Sequence, residues 1–168
     1  IKETAPRSCA VIGAGFIGLE MAENLAERGV HVTVVEGASH VMPPIDMDMA
    51  HQVHNYIRAQ GIDLYLGQTC TAMDKDGVIL KDGRKIPADM VILSIGVRPD
   101  TGFLKDSGIE LGARGEILVN SYMETSEPDV YALGDAASVR HIVSGKQVLI
   151  PLASPANKQG RIVGDNLC

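Results

Sequence analysis

Three glycines spaced as Gly13-Ala14-Gly15-Phe16-Ile17-Gly18 constrain this chain more than any other feature. They follow a short apolar run, Cys9-Ala10-Val11-Ile12, of the kind a buried parallel strand presents. They open a stretch from Phe16 to Arg28 in which Ile17, Met21 and Leu25 recur every four residues, a helical spacing that Gly29 closes. Val30 to Glu36 is dense in β-branched residues and reads as a second strand. Strand, glycine turn, helix and strand in so short a span make a βαβ unit.

Each position in such a turn has a physical task. Gly13 permits the tight turn from strand to helix. Gly15 has no Cβ, so a pyrophosphate can approach the backbone, and Gly18 lets the helix pack closely. The positive end of the helix, opened by Phe16 and Ile17, then faces the phosphates. Glu36 ends the second strand, eighteen residues after Gly18. Its carboxylate there can accept hydrogen bonds from both ribose hydroxyls of an adenosine and would repel a 2′-phosphate. The pattern points to NAD(H) rather than its phosphorylated counterpart. Glu20 sits one turn from the phosphate-binding end; it is either part of a solvated face with Glu23 and Glu27 or a functional carboxylate.

Further along, Pro43-Pro44 breaks the chain, and Asp46 is placed to cap a helix running to about Gln60 that Gly61 ends. Ile62 to Leu66 reads as a third strand. Asp76-Gly77 and Asp82-Gly83 predict an antiparallel meander over residues 71–86, and Met90 to Ser94 a buried strand followed by Gly96. After Arg98-Pro99-Asp100 the character changes. Short strands are expected at Ile109–Leu111, Ile117–Val119 and Val130–Leu133, and a helix from Ser154-Pro155 with Ser154 as N-cap. The boundary is placed near residue 100, giving segments 1–99 and 100–168.

Composition closes several alternatives. A net charge of −6 disfavours phosphate backbones, and the absence of Trp with 4% aromatics removes stacking platforms for single-stranded nucleic acid. No apolar run approaches the length that spans a bilayer. Cys9, Cys70 and Cys168 form no paired motif, so neither a disulfide framework nor a zinc site is expected, and the chain reads as cytoplasmic. Asp46, Asp48, His51 and His54 lack a further convergent ligand, so no metal site is assigned. The chain opens at Ile1 without Met and ends at Cys168 within a helical pattern, so a piece of a larger protein is expected.

At Gly13 to Glu20 the sequence resembles the pyridine nucleotide-disulfide oxidoreductases. The likeness extends to Ser94-Ile95-Gly96-Val97-Arg98-Pro99-Asp100, to Thr125 through Ala136, and to Leu152 through Arg161, in the family's order. Leu19 to Leu25 and Pro151 to Arg161 point to the branch of coenzyme A-disulfide reductases, NADH oxidases and NADH peroxidases. The resemblance implies an α/β architecture: a Rossmann-like NAD(H) domain at 1–99 with an antiparallel meander, then an incomplete second portion of an FAD domain at 100–168. It implies that Gly96 approaches NAD, that Glu20 lies near the nicotinamide, and that Gly134, Asp135, Ala153 and Ser154 contact FAD. The redox cysteine is expected upstream of this chain. The implied reaction passes a hydride from NADH to FAD and on to a small disulfide, persulfide or thiol substrate, in a homodimeric parent. An NADH oxidase or peroxidase and a non-catalytic NAD-binding module are the alternatives.

Overall fold

The computed structural model describes residues 5–168; the first four residues of the expected 1–99 segment lie outside it. The chain divides into two compact units, Ile1–Gly96 and Val97–Cys168.

The first unit is built on a parallel sheet. Strand β1 (Ser8–Ile12) leads through the glycine turn into helix α1 (Phe16–Ala26), and β2 (His31–Glu36) returns beside β1. Helix α2 (Met47–Ala59) connects to β3 (Asp63–Leu66). A meander, β4 (Cys70–Asp74), β5 (Gly77–Leu80) and β6 (Lys85–Pro87), precedes β7 (Met90–Leu93). The parallel order is β3-β2-β1-β7. Its two central strands are buried over residues 9–12 and 32–35 because both faces are covered, with Thr33 the one buried polar side chain among them. Cys9 and Val11 point to the α1 and α2 side, joining Val32, Val34, Leu25 and Ile57. Ala10 and Ile12, on the opposite pleat, join Val35 and the meander residues Val78, Leu80 and Ile86.

Helix ends follow local chemistry. Gly29 takes φ +78° and donates to the Ala26 carbonyl, while Val30 donates to that of Leu25, so a left-handed glycine closes α1 as expected. Gly61, at φ +75°, does the same for α2. Asp46 occupies the N-cap position of α2, but its side chain makes no capping bond. Asp48 takes up the nearby Met49 amide instead, 2.9 Å away. Asp89, just before β7, accepts the amides of Arg7 and Ser8 and the Ser8 hydroxyl, and so anchors the entry to β1.

The second unit carries less regular structure than the sequence pattern predicts. The strands expected at 109–111, 117–119 and 130–133 are reduced to single bridges, Leu111 with Ile117, Ile117 with Ala137 and Glu124 with Tyr131. Side chains take the places a ladder would fill. Ser126 Oγ accepts from the Glu110 amide and donates to the Gly108 carbonyl, and Asn120 Oδ1 accepts the amides of Tyr122 and Glu124. A hairpin absent from the sequence reading, β8 (Ser138–Arg140) with β9 (Gln147–Leu149), turns near Ser144-Gly145. Helix α3 spans Ala153–Leu167 with Leu152 at the N-cap. Ser154 is therefore not the cap: the helix starts earlier, and Ala156 donates to the Leu152 carbonyl. Pro155 falls within the first turn, where its missing N–H leaves no intrahelical bond broken. Among the described residues, no helix is long and apolar enough to cross a membrane.

Candidate functional site: the cleft at the strand ends

In the parallel sheet, β1 sends its connection one way to β2, while β7 flanks it on the other side. The crevice beyond the carboxyl ends of strands at such a reversal is where ligands of open α/β sheets bind. A cleft of about 520 Å³ lies there. It is lined by Gly13 and Gly15 from the turn, Glu36 from the end of β2, and Ser94 and Gly96 from beyond β7.

The turn is fixed by backbone. Gly13 donates to the Val35 carbonyl at 2.8 Å, and Ser94 donates its amide to Ile12 at 2.8 Å. The Ser94 hydroxyl is 2.9 Å from each of the Ile12 and Gly13 carbonyls, so one proton is shared between the two ends of the turn. Gly13 has φ +103°, and any Cβ there would strike the Ser94 carbonyl group. A Cβ on Gly18 would collide with the Gly13 carbonyl and come within 2.6 Å of Ser94 Oγ. The sequence reading assigned Gly18 to helix packing; the surface it packs on is the turn itself. At Gly15 an added Cβ would meet nothing within 4 Å, so the space left by this glycine belongs to the cleft.

Helix α1 begins here with no side-chain cap and no acidic residue in its first turn. Its positive end is uncompensated by its own side chains, which suits a phosphate. Glu36 lies opposite. Its Oε2 accepts the Ala14 amide at 2.7 Å and its Oε1 the Ala38 amide at 2.8 Å. The carboxylate thus ties the glycine turn to the chain leaving β2. Each oxygen keeps a lone pair for a further donor such as a ribose hydroxyl. The donor and acceptor set fits a dinucleotide: open backbone for the pyrophosphate, a helix start for its charge, a carboxylate for a diol.

Of the expected NAD(H) residues, Gly13, Gly15, Glu36 and Gly96 meet in this cleft, with Gly96 at φ +107°. Gly18 is buried behind the turn. Phe16 and Ile17 are half-exposed on the first turn of α1. Glu20 is exposed and borders a separate groove of about 190 Å³ between α1 and α2, beside Phe16 and Tyr56. Pro43, Gln68, Thr69, Cys70 and Ser94 line the main cleft and escaped the sequence reading. Ser94 had a signal, as the first polar residue after the apolar run of β7. Pro43, Gln68 and Thr69 lie on loops and Cys70 at the start of β4, and their approach depends on strand pairing. Gln68 Oε1 is buried there without a hydrogen-bond partner.

In the second unit, Gly134 (φ +79°) and Asp135 form a single 3-10 turn packed on α3. The buried Gln159 accepts the Gly134 amide at 2.7 Å through Oε1, fixing the turn to the helix. Asp135, Ala153 and Ser154 are exposed. Cys9 is buried in β1, and burial pushes its thiol up to about 11, as befits a packing residue. His54 is 3% exposed and belongs to the core. Among the described residues, no group of His, Cys, Asp and Glu side chains is arranged to hold a metal ion.

Residues 1–160 match the family model described as pyridine nucleotide-disulphide oxidoreductase. An NADH oxidase of Methanocaldococcus jannaschii is 39% identical over 99% of this chain and 38% of its own length. A coenzyme A disulfide reductase of Staphylococcus aureus is 30% identical with the same coverages. The crystal structure of reduced Bacillus anthracis CoADR-RHD superposes with a TM-score of 0.96 at 47% identity, over 99% of this chain and 30% of that one. The chain therefore spans little more than a third of the curated relatives it matches. With the family model covering nearly all of its residues, the chain belongs to the pyridine nucleotide-disulphide oxidoreductases.

Proposed function

We propose that this chain is the NAD(H)-binding part, with a second portion of the FAD domain, of an FAD-dependent NADH:disulfide oxidoreductase. The observation that carries the reading is the convergence of Gly13, Gly15, Glu36 and Gly96 on one cleft at the reversal of strand order. Gly15 admits the pyrophosphate, the start of α1 balances its charge, and Glu36 accepts the ribose hydroxyls while repelling a 2′-phosphate. In the second unit, Asp135 accepts from the ribityl chain of FAD, while Gly134, Ala153 and Ser154 present backbone. Glu20 lies toward the nicotinamide. When bound, the two cofactors supply the hydride and electron-transfer chemistry. The substrate class is a small cysteine-based disulfide or persulfide such as coenzyme A disulfide, a reading supported by the names of the relatives that are coenzyme A disulfide reductases. An NADH oxidase is the second reading, favoured by the 39% identity to the Methanocaldococcus protein.

Fluorescence titration tests the nucleotide assignment. NADH binds at least about tenfold more tightly than NADPH, a difference of about 1.4 kcal/mol. Glu36→Ala narrows that gap. Equal affinities for the two nucleotides in the unsubstituted chain overturn the role given to Glu36.

A further inference from the structure

His54 is a core histidine with a polar task. Its Nε2 accepts the backbone N–H of Val41 at 3.2 Å, and both residues are buried, at 3% and 0% exposure. Accepting requires Nε2 to be unprotonated, which places the single ring proton of neutral His54 on Nδ1. Val41 belongs to the loop between β2 and α2, and that loop touches the nucleotide cleft twice. The next residue, Met42, donates its amide to the Ala14 carbonyl at 2.9 Å, inside the glycine turn. Pro43 lines the cleft itself. Met42 has φ +52°, a left-handed conformation that a non-glycine residue holds only when its surroundings impose it. The imposing bonds are Val41 to His54 on one side, Met42 to Ala14 on the other, and Ile45 to the Met42 carbonyl at 2.9 Å. Ala14 in turn donates to Glu36. A continuous series of hydrogen bonds thus runs from His54, through the loop and the glycine turn, to the carboxylate assigned to the ribose.

We propose that His54 is a positioning residue of the nucleotide cleft, whose neutral Nε2 pins the β2–α2 loop and whose protonation releases it. A protonated Nε2 would set a donor against the Val41 donor and leave a buried amide unpaired. The charged and titratable groups acting on His54 are Arg58 and His51 on its own helix and His40 on the loop packed over it. Every one of them opposes a positive charge on the ring. The His51 ring sits edge-on with its centroid 5.6 Å from that of His54, and His40 Nδ1 is 2.8 Å from the Val41 carbonyl. Burial first, and then these neighbours, lower the affinity of His54 for a proton. The ring is therefore neutral and accepting through neutral pH, and the bond is lost only as pH falls below the ordinary histidine range. The proposal rests on the NAD(H) reading of the cleft for its consequence, but not for the latch itself.

The experiment separates the two. In the nucleotide-free full chain, amide NMR follows Val41, Met42 and Ala14 while pH is lowered from about 8 to about 5, well below the ordinary histidine range. The three amides are expected to shift together with the His54 ring signal in the unsubstituted chain and to stay fixed in His54→Gln, whose side-chain oxygen accepts without titrating. Freshly mixed NADH is then titrated by fluorescence across the same range. Affinity is expected to fall about tenfold at the acid end for the unsubstituted chain, and by less than about twofold for His54→Gln. His54→Leu is expected to bind about tenfold more weakly at every pH. Amides of Met42 and Ala14 that ignore His54 titration overturn the latch. So does an acid fall in NADH affinity that His54→Gln retains. Failure of the unsubstituted chain to bind NADH at pH 8, with the amides coupled to His54, overturns the NAD(H) reading and leaves the latch standing.

Discussion

Glu36→Gln separates the job the structure gives one carboxylate from the job proposed for it. The sequence argument gives Glu36 a ribose; the structure gives it two backbone amides, Ala14 and Ala38, at 2.7 and 2.8 Å. Glutamine keeps the shape but offers one oxygen and one NH2 group, so it can satisfy only one of the two amides. The other then faces a donor. Hydrogen bonds to a charged group contribute about 1.5–3 kcal/mol each, and neutral ones about half that. Glu36 is part-buried, so solvent recovers some of the loss, and a net cost of about 2 kcal/mol is expected. For a unit of this size each kcal/mol moves the midpoint by about 4–8 °C, so melting should fall by roughly 8–16 °C. The assay is thermal unfolding followed by far-UV circular dichroism with no nucleotide present. A midpoint within about 2 °C of the unsubstituted chain refutes the view that Glu36 braces the turn. Adding NADH supplies a second test. Ligand raises the stability of the native state by RT ln(1 + [L]/Kd), so the variant should also gain less from a fixed NADH concentration.

Two further predictions concern the same sheet. Cys9, with its thiol raised to about 11 by burial, should resist iodoacetamide at neutral pH in the folded chain while exposed Cys168 is alkylated, and should react once denaturant is added; mass mapping of labelled peptides reads this, and labelling of Cys9 in the folded state would contradict its placement in β1. The amides of Arg7 and Ser8, with the Ser8 hydroxyl, hold the Asp89 carboxyl below its usual range, so its contribution is present above the unfolded value of 3.8 and lost as pH falls through the lower folded value. Asp89→Asn should therefore melt below the unsubstituted chain at pH 7, and the gap should close in acid below pH 3.8; a gap that persists there would contradict an electrostatic origin.

The first unit was legible because its signals are local and agree with one another. A β-branched run, a period-four apolar stripe and a left-handed glycine each specify one element, and β1 to β3 with α1 and α2 appear within a residue or two of where those signals place them. In the second unit Ile117-Leu118-Val119 and Val130 to Leu133 carry strand-forming residues, and their pattern predicts strands. What decides there is the short polar side chains between them. Asn120 and Ser126 take the backbone groups that a strand partner would need, and composition alone does not say which option wins. The misplaced cap of α3 has a local origin: Ser154 is a good N-cap by type, but Leu152 takes the N-cap position and Ser154 falls within the first turn.

The site divides along a different line. Gly13, Gly15 and Glu36 could be found from spacing because the turn chemistry fixes their positions relative to one another within a single βαβ unit. Gln68, Thr69, Cys70 and Ser94 reach the same cleft from distant parts of the chain, and only the pairing of β3 with β2 and of β7 with β1 brings them there. The hydrogen bonds that hold the cleft in shape are likewise long-range, such as Ser94 to Gly13 and Ala14 to Glu36, with donor and acceptor 81 and 22 residues apart. A residue type discloses what a side chain can bond; the register of the sheet decides what it does bond. Glu36 shows the difference most clearly, since the carboxylate proposed for a ribose is already holding the glycine turn through the Ala14 amide, and any substitution made to test nucleotide choice must leave that brace in place or supply another.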